Sequence, residues 1–393
     1  MSVATELSRS TLAAEADGRR IPWPHKRNLA HSTWIRHAAD AADASSAVAG
    51  PSTTMTLEER MATIASVGEE INSAERLEEL LGRKAKPRCY DGFEPSGRMH
   101  IAQGILKAIN VNKLTSSGCE FVFWVADWFA LLNNKMGGDL KRIRVVGKYM
   151  IEVWKACGMD MTNVKFLWCA DSINERPDEY WRMVMDIARS FTISRIKRCG
   201  QIMGRSEGDD QPASQIFYPA MQAADIFFLG ADICQLGMDQ RKVNMLAIDY
   251  ANKIGVPPPV VVSHHMIMGL TGEKMSKSDP NSAIFMEDDT AAIRKKIKAA
   301  FCEIGNIEKN PVLEYCKYII YPAGVVLTID GEEFATYDAV EAAFLDGSLH
   351  PGALKPAVAD AIDSLVEPVR QHFRKDPVAR ELLKKVQSFK VTK

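Results

Sequence analysis

No stretch of the 393 residues approaches the roughly 18 consecutive apolar positions that a membrane-spanning helix needs, and no secretory signal is visible. The eight cysteines, at 89, 119, 157, 169, 199, 234, 302 and 316, form no CxxC pair. That spacing argues against a zinc site or a disulfide frame and for reduced, mostly structural thiols in an intracellular protein. Net charge is only −1, so any contact with nucleic acid has to use local patches. Two phosphate-binding signatures are also missing from the turn after the first expected strand. Without GxGxxG spacing a nicotinamide cofactor is not expected, and without GxxxxGK[ST] the chain is not a P-loop NTPase. What remains is a chain 46% hydrophobic, ample for a large core in two or three domains.

Residues 1–57 stand apart from the rest. Positions 38–54 are a low-complexity run of Ala, Asp, Ser, Gly, Pro and Thr with little to bury. Before it, Arg9, Arg19, Arg20, Lys26, Arg27 and Arg36 oppose Glu6, Glu15 and Asp17, a net of +3. A disordered extension and an organellar presequence are both open, although the early acids, Pro22 and Pro24 spoil a clean amphipathic targeting helix. From Thr56 the pattern becomes regular. Residues 57–82 read as one helix or two. Strands are expected at Arg88–Phe93, Cys119–Val125, Val164–Ala170 and Pro259–Ser263. Helices are expected at 103–115, 139–157, 178–191, 217–228 and 239–252. Such alternation predicts an α/β fold, a Rossmann-like parallel sheet covered on both faces, with ligands at the carboxyl ends of the strands. After Phe285 the strand signal fades. Acids at 287–289 followed by Arg294, Lys295, Lys296 and Lys298 start a mostly helical second domain, 286–393. Its last 20 residues carry seven Lys/Arg against Asp376 and Glu381, a net of +5: a solvated tail or a nucleic-acid contact.

Three places carry chemistry. Lys274-Met275-Ser276-Lys277-Ser278, between Thr271-Gly272 and Asp279-Pro280, offers two ammonium groups, two hydroxyls and an apolar anchor on a loop. Such a loop suits a triphosphate, because lysine is a flexible point charge that can follow a moving phosphate; alone, it reads first as a solvated basic turn. The first strand runs out through Tyr90-Asp91-Gly92-Phe93-Glu94-Pro95-Ser96-Gly97-Arg98-Met99-His100. Gly97 permits a tight turn, and a helix starting near His100 puts N–H groups and an imidazole where a phosphate docks. Within 217–228, nearly all apolar, Tyr218, Gln222 and Asp225 fall at i, i+4 and i+7 on one face. Three polar groups on a buried helix need polar partners, from an internal network or from a bound small molecule with matching donors.

At these residues the chain resembles the class I aminoacyl-tRNA synthetases. Residues 274–278 match their KMSKS signature in full, and His100-Ile101-Ala102-Gln103 sits where their HIGH motif belongs. Tyr90–His100, Tyr218–Asp225 and Gly237-Met238-Asp239-Gln240-Arg241-Lys242 look like tyrosyl-tRNA synthetases of the archaeal and eukaryotic cytosolic type. The resemblance runs from about residue 58 to the end. It implies a catalytic domain over 58–285, with a connective insertion at 180–216 supplying homodimer and acceptor-stem contacts, and an anticodon-binding domain over 286–393. It implies ATP as substrate with Mg²⁺, no zinc, and cytoplasmic tRNA(Tyr) and L-tyrosine as partners. Tyr90 and Asp225 would bind the phenol hydroxyl, and Tyr218, Gln222 and Gln240 the α-ammonium. Gly97, His100, Gln103, Lys274, Met275, Ser276, Lys277 and Ser278 would hold ATP, with His100, Lys274 and Lys277 catalytic. Arg198, Arg241 and Lys242 would meet the tRNA acceptor end; independently, Arg195, Lys197, Arg198 and Arg205 form a plausible phosphate track.

Two departures stand against the pattern. Ala102 and Gln103 replace the Gly and second His of the HIGH motif. His350-Pro351-Gly352-Ala353 has Ala353 where family members often place an Asp that reads the anticodon. The alternatives are the tryptophanyl sister, which gives no reason for a paired Tyr90/Asp225 phenol clamp, and a non-catalytic RNA-binding paralogue, which gives none for an intact lysine loop beside an intact substrate face.

Overall fold

The computed structural model describes residues 53–200, 212–272, 275, 279 and 281–389. Six strands, β1 (Glu70–Ile71), β2 (Arg88–Phe93), β3 (Glu120–Val125), β4 (Val164–Trp168), β5 (Ile233–Gly237) and β6 (Val260–His264), form one sheet. Their order is β1-β6-β5-β2-β3-β4, with β2 to β6 parallel and β1 antiparallel at the edge. Parallel neighbours require crossover connections, and here the intervening helices cover both faces. β3, Glu-Phe-Val-Phe-Trp-Val, is buried along its whole length, yet its period of two still sorts the side chains. Phe121 and Phe123 enter one core, shared with helices Lys107–Ser116 and Leu140–Ala156. Val122 and Trp124 enter a second, under helices Pro177–Ser190, Ser214–Phe228 and Arg241–Ile254. The first core continues without a break into the C-terminal helices, through Ile293, Ile297, Val312, Val358, Ile362 and Val369.

Four differences from expectation have local causes. β4 stops at Trp168 rather than 170, because the backbone N–H of Ala170 donates to Asp127 Oδ1 at 2.9 Å and turns the chain into helix Cys169–Glu175. The two-residue β1 is too short to carry a periodicity signal. β5 hides behind Gln235, a polar residue in a strand buried throughout. Past Phe285, where a mostly helical domain was expected, Leu327–Ile329 and Glu332–Phe334 add an antiparallel hairpin around Asp330 and Gly331, both at positive φ. The helix after His100 also begins irregularly, with a π turn at Ala102–Leu106 before Lys107–Ser116. Such π turns in helices gather at functional sites.

β6 is tied to the C-terminal helices by His265. Its ring stacks on Tyr318 with centroids 4.3 Å apart, and it lies 3.1 Å from Glu69 and 3.3 Å from Glu314. Glu314, which also accepts from the Met268 N–H at 2.7 Å, is the main cause holding the imidazole above its ordinary value of 6.5, with Glu69 adding to it and partial burial opposing. A raised histidine pKa stabilises the fold fully below the unfolded value and loses that contribution as pH rises through the folded one. We therefore expect thermal unfolding of wild type and His265→Gln to differ most near pH 6 and to converge at about pH 9; a gap independent of pH would mean that the imidazolium does not contribute.

Candidate active site

The carboxyl end of β2 and the helix Ser214–Phe228 face each other across the second core. Tyr90 is 1% exposed, and its ring lies along the strand because Gly92, two residues on, has no side chain: a Cβ there would sit 3.0 Å from the Tyr90 hydroxyl. Burial pushes the Tyr90 pKa well up, and the next cause is the charge of Asp225. Asp225 is itself 1% exposed. Its Oδ1 accepts from the Tyr180 hydroxyl at 2.8 Å, whereas Oδ2 has no hydrogen-bond partner. The Trp124 indole N–H is near enough to favour the carboxylate but makes no hydrogen bond to it, and Trp124 Nε1 is also unpartnered. Burial dominates, so the Asp225 carboxyl is held well above its usual range.

The other two residues of that helix face find different partners. The Tyr218 hydroxyl donates to Glu94 Oε1 at 2.6 Å, and its ring meets Phe129 edge-on at 4.8 Å. Glu94 also accepts from Asn133 Nδ2 at 3.1 Å and has Lys135 Nζ at 4.0 Å. Gln222 Nε2 donates to Gln240 Oε1 at 2.9 Å, which links the helix to the turn Met238–Gln240 at the end of β5. Tyr90 and Asp225 thus come together at one place, with Tyr218 and its Glu94 partner near them, while Gln222 meets Gln240. Reasoning from sequence missed Glu94, Asn133 and Tyr180. Glu94 carried a signal, an acid directly after a buried strand. Tyr180 carried none, because its contact with Asp225 spans 45 positions.

The nucleotide side is built by two segments that meet. His100 forms an isolated antiparallel bridge with Phe285, Ile101 N donates to Ile284 O at 2.8 Å, and Met286 N donates to Met99 O at 2.9 Å. Gly97, at φ 131°, turns the chain into this segment. Arg98 stacks over Phe285 at 4.2 Å and pairs with Glu287 and Asp288. Gln103 leaves Oε1 buried and unpartnered while its carbonyl accepts from Trp154 Nε1 at 2.8 Å. The lysine loop springs from the same place: Leu270 N donates to Ser282 O at 2.8 Å and Phe301 N to Leu270 O at 2.7 Å, closing its base. Met275 packs against the first core, as an anchor should. Lys274, Ser276, Lys277 and Ser278 lie outside the described residues, as do Arg205 and most of 1–57.

Of the basic residues, Arg241 pairs with Glu70 at 2.8 Å, and Arg195 with Asp249 at 3.0 Å. Cys199, next to Arg198, donates through Sγ to the Lys242 carbonyl at 3.6 Å, so Arg198 and Lys242 share one neighbourhood. Ala353, packed against the first core, and His350, which caps helix Pro351–Lys375 by accepting from the Gly352 N–H at 2.9 Å, have structural work to do in that helix.

A carboxylate whose folded pKa is raised makes the native state less stable as pH climbs above the unfolded value, 3.8 for aspartate, because the folded form holds the proton longer. Asp225→Asn removes this charge and keeps the acceptor for Tyr180. The ligand-free variant should be more stable than wild type at neutral pH by on the order of 1 kcal/mol, the scale of the proton linkage that the amide removes. The gap should close toward pH 4. Thermal unfolding over that range measures it, and a variant less stable than wild type at pH 7 contradicts the assignment.

Residues 83–367 match the family model of class I tRNA synthetases (W and Y). The chain is 54% identical over 347 residues to the cytoplasmic tyrosine–tRNA ligase 1 of Arabidopsis thaliana, covering 86% of this chain and 90% of that one. It is 52% identical to ligase 2 of the same plant, covering 89% of this chain but 48% of that longer protein. A Leishmania major tyrosyl-tRNA synthetase solved with tyrosinol superposes with a TM-score of 0.82 at 53% identity, over 86% of this chain and 53% of that one. With the Tyr90 phenol and the Asp225 carboxylate buried together in a chain matched over most of its length, one conclusion is left: the chain belongs to the tyrosyl-tRNA synthetases of class I.

Proposed function

We propose that this chain is a tyrosine–tRNA ligase: it activates L-tyrosine with ATP to tyrosyl-adenylate and pyrophosphate, then transfers tyrosine to the 3′ end of tRNA(Tyr). The observation that carries the reading is the unsatisfied Asp225 Oδ2 in an otherwise apolar setting, with the Tyr90 phenol beside it. A phenol hydroxyl donates to Asp225 and accepts from Tyr90, whereas a phenyl ring leaves both unpaired. An indole N–H donates once and accepts nothing, which fits the pair less well. At the far end Tyr218, Gln222 and Gln240 surround the α-ammonium, and Glu94, held by Tyr218 and Asn133, supplies negative charge behind them.

In activation, a tyrosine carboxylate oxygen attacks the α-phosphorus of ATP. That O–P bond forms as the bond from the α-phosphorus to the bridging oxygen breaks, and pyrophosphate leaves with the electron pair. No general base is needed, because the carboxylate is already ionised at neutral pH. The protein's work is alignment and stabilisation of charge on the phosphates. We assign the phosphates to Gly97, His100 and Gln103 on one side and to Lys274, Met275, Ser276, Lys277 and Ser278 on the other. In transfer, a ribose hydroxyl at the tRNA terminus attacks the adenylate carbonyl and AMP departs. Among the described residues no group of three or more His, Cys, Asp or Glu side chains is arranged to hold a metal ion. Mg²⁺ is therefore assigned to the nucleotide phosphates, and no step is derived through it.

We further propose that Arg198, Arg241 and Lys242 receive the acceptor end, that 286–393 meets the anticodon arm, and that 180–216 forms a homodimer interface. Exposed Met185, Ile193 and Phe217 support the last of these. The proposed compartment is the cytoplasm, as in the named plant relatives; among the described residues no helix is long and apolar enough to cross a membrane.

Pyrophosphate exchange with each of the twenty amino acids should respond to tyrosine alone; exchange driven by tryptophan, or by none, overturns the reading. Lys277→Ala should slow adenylate formation by roughly 10- to 100-fold, the worth of one or two charge-assisted hydrogen bonds, while tyrosine affinity stays within about twofold. Equal losses in rate and in tyrosine affinity would remove the lysine from the transition state.

A further inference from the structure

Directly across the sheet from the tyrosine recess lies a polar chain that the reaction has not used. Tyr90 and Asp91 are consecutive on β2, so when Tyr90 enters the second core Asp91 faces the first. β5 and β6, the next two strands, each put a polar residue on that same face: Gln235 alternates with Cys234 and Leu236 of the second core, and His264 follows Val262 of the first. Lys107, at the start of its helix and 7% exposed, completes the set. The Lys107 ammonium lies 2.5 Å from Asp91 Oδ2 and donates to Gln235 Oε1 at 3.1 Å. Gln235, fully buried, meets His264 Nδ1 at 2.6 Å through Nε2.

The chemistry of this chain fixes every proton in it. An ammonium has only donors, so the atom of Gln235 that faces Lys107 is the carbonyl oxygen. The amide nitrogen then faces His264 and donates, which makes Nδ1 an acceptor and puts the ring proton on Nε2. Burial and the nearby Lys107 charge push the imidazole pKa well down, in agreement with a neutral ring. Nε2 points at the end of β5: a Cβ on Gly237 would lie 3.6 Å from it, 2.9 Å from Asp239 Oδ1 and 2.5 Å from Met266 Sδ. His264 is paired in register with Gly237, and the Leu236 carbonyl near the ring favours its protonated form. Three residues on, Gln240 accepts from Gln222.

We propose that Lys107 and Gln235 are positioning residues: through the fixed Nε2–H tautomer of His264 they clamp the Leu236–Gly237 peptide and so set the turn that presents Gln240 to the substrate α-ammonium. The effect of the clamp on tyrosine rests on the role proposed for Gln240. Gln235→Leu removes the donor to His264 and the acceptor for Lys107. Gln235→Glu keeps an acceptor for Lys107 but forces His264 to hold its proton on Nδ1, which turns Nε2 toward the Leu236 carbonyl as a second acceptor.

The test has two readouts on the full chain. ¹⁵N NMR at pH 7, with the resonance assigned by its loss in His264→Gln, should find His264 neutral and protonated on Nε2, and Gln235→Glu should move that proton to Nδ1. An Nδ1–H wild-type ring overturns the proposal whatever the variants do, including variants that fail to fold. In the second readout, Gln235→Leu should raise the KM for tyrosine roughly tenfold, the worth of one hydrogen bond to a charged group. The inhibition constant of 3-(4-hydroxyphenyl)propanoate, tyrosine without its ammonium, should not move. A parallel rise in both would mean a merely structural role and would sink the assignment. Wild type that does not exchange pyrophosphate with tyrosine refutes the proposed function, while the NMR result still decides the clamp.

Discussion

Burying Asp225 with half of its carboxylate unsatisfied is the constraint on which the rest of the site depends. An unpaired buried anion is expensive, and the fold meets only part of that cost, with one hydroxyl from Tyr180 and a nearby indole N–H of Trp124 that makes no hydrogen bond to it. Everything else about the recess preserves the deficit. Gly92 keeps the strand clear for the Tyr90 ring, the apolar residues of Ser214–Phe228 keep water out, and Tyr180 reaches in from a separate helix to hold the carboxylate in place. A ligand that supplies the missing donor relieves a strain already present in the empty protein. On the proposed function selectivity would arise in the same way, since a ligand without a hydroxyl leaves the deficit standing.

The sheet divides the labour. On one face the alternation of β2 and β5 delivers Tyr90 and the approach to Gln240; on the other it delivers Asp91 and Gln235 into a buried ionic chain. Because both sets stand on the same strands, a displacement that spoils one spoils the other. The unbroken first core carries this coupling further, to helices that begin at Thr290, so the segment proposed to meet the anticodon arm is packed against the sheet that carries out activation.

What the sequence disclosed and what it concealed follow one physical rule. Local patterns were legible: the glycine turn at Gly97, the polar face at Tyr218, Gln222 and Asp225, and a signature loop whose flanks at Ile284 and Met286 do meet Met99 and Ile101. Strands read well where period and burial agreed, as in β3, and badly where a polar residue sat at a core position, as Gln235 does in β5. That failure was informative, because the residue that broke the strand pattern belongs to the ionic chain. Tyr180 was invisible for another reason: nothing in its own neighbourhood differs from an aromatic on an amphipathic helix, and its partner is brought to it only by the tertiary fold.

The departure from the family at Gln103 can be weighed in the same terms. A histidine there would offer one donor toward a phosphate and a charge that depends on pH. Gln103 offers an amide whose oxygen is buried and unpartnered, while its backbone carbonyl is fixed by Trp154. Rotating the amide brings its NH₂ group to where that oxygen now lies, so the same side chain becomes a neutral donor with the backbone undisturbed. A neutral donor is worth less against a polyanion than a cation is, which shifts the burden of following the phosphates to the lysine loop. If both motifs hold the nucleotide as proposed, the full KMSKS match and the altered HIGH motif are linked: a site that gives up one ionisable group relies more heavily on the two lysine charges.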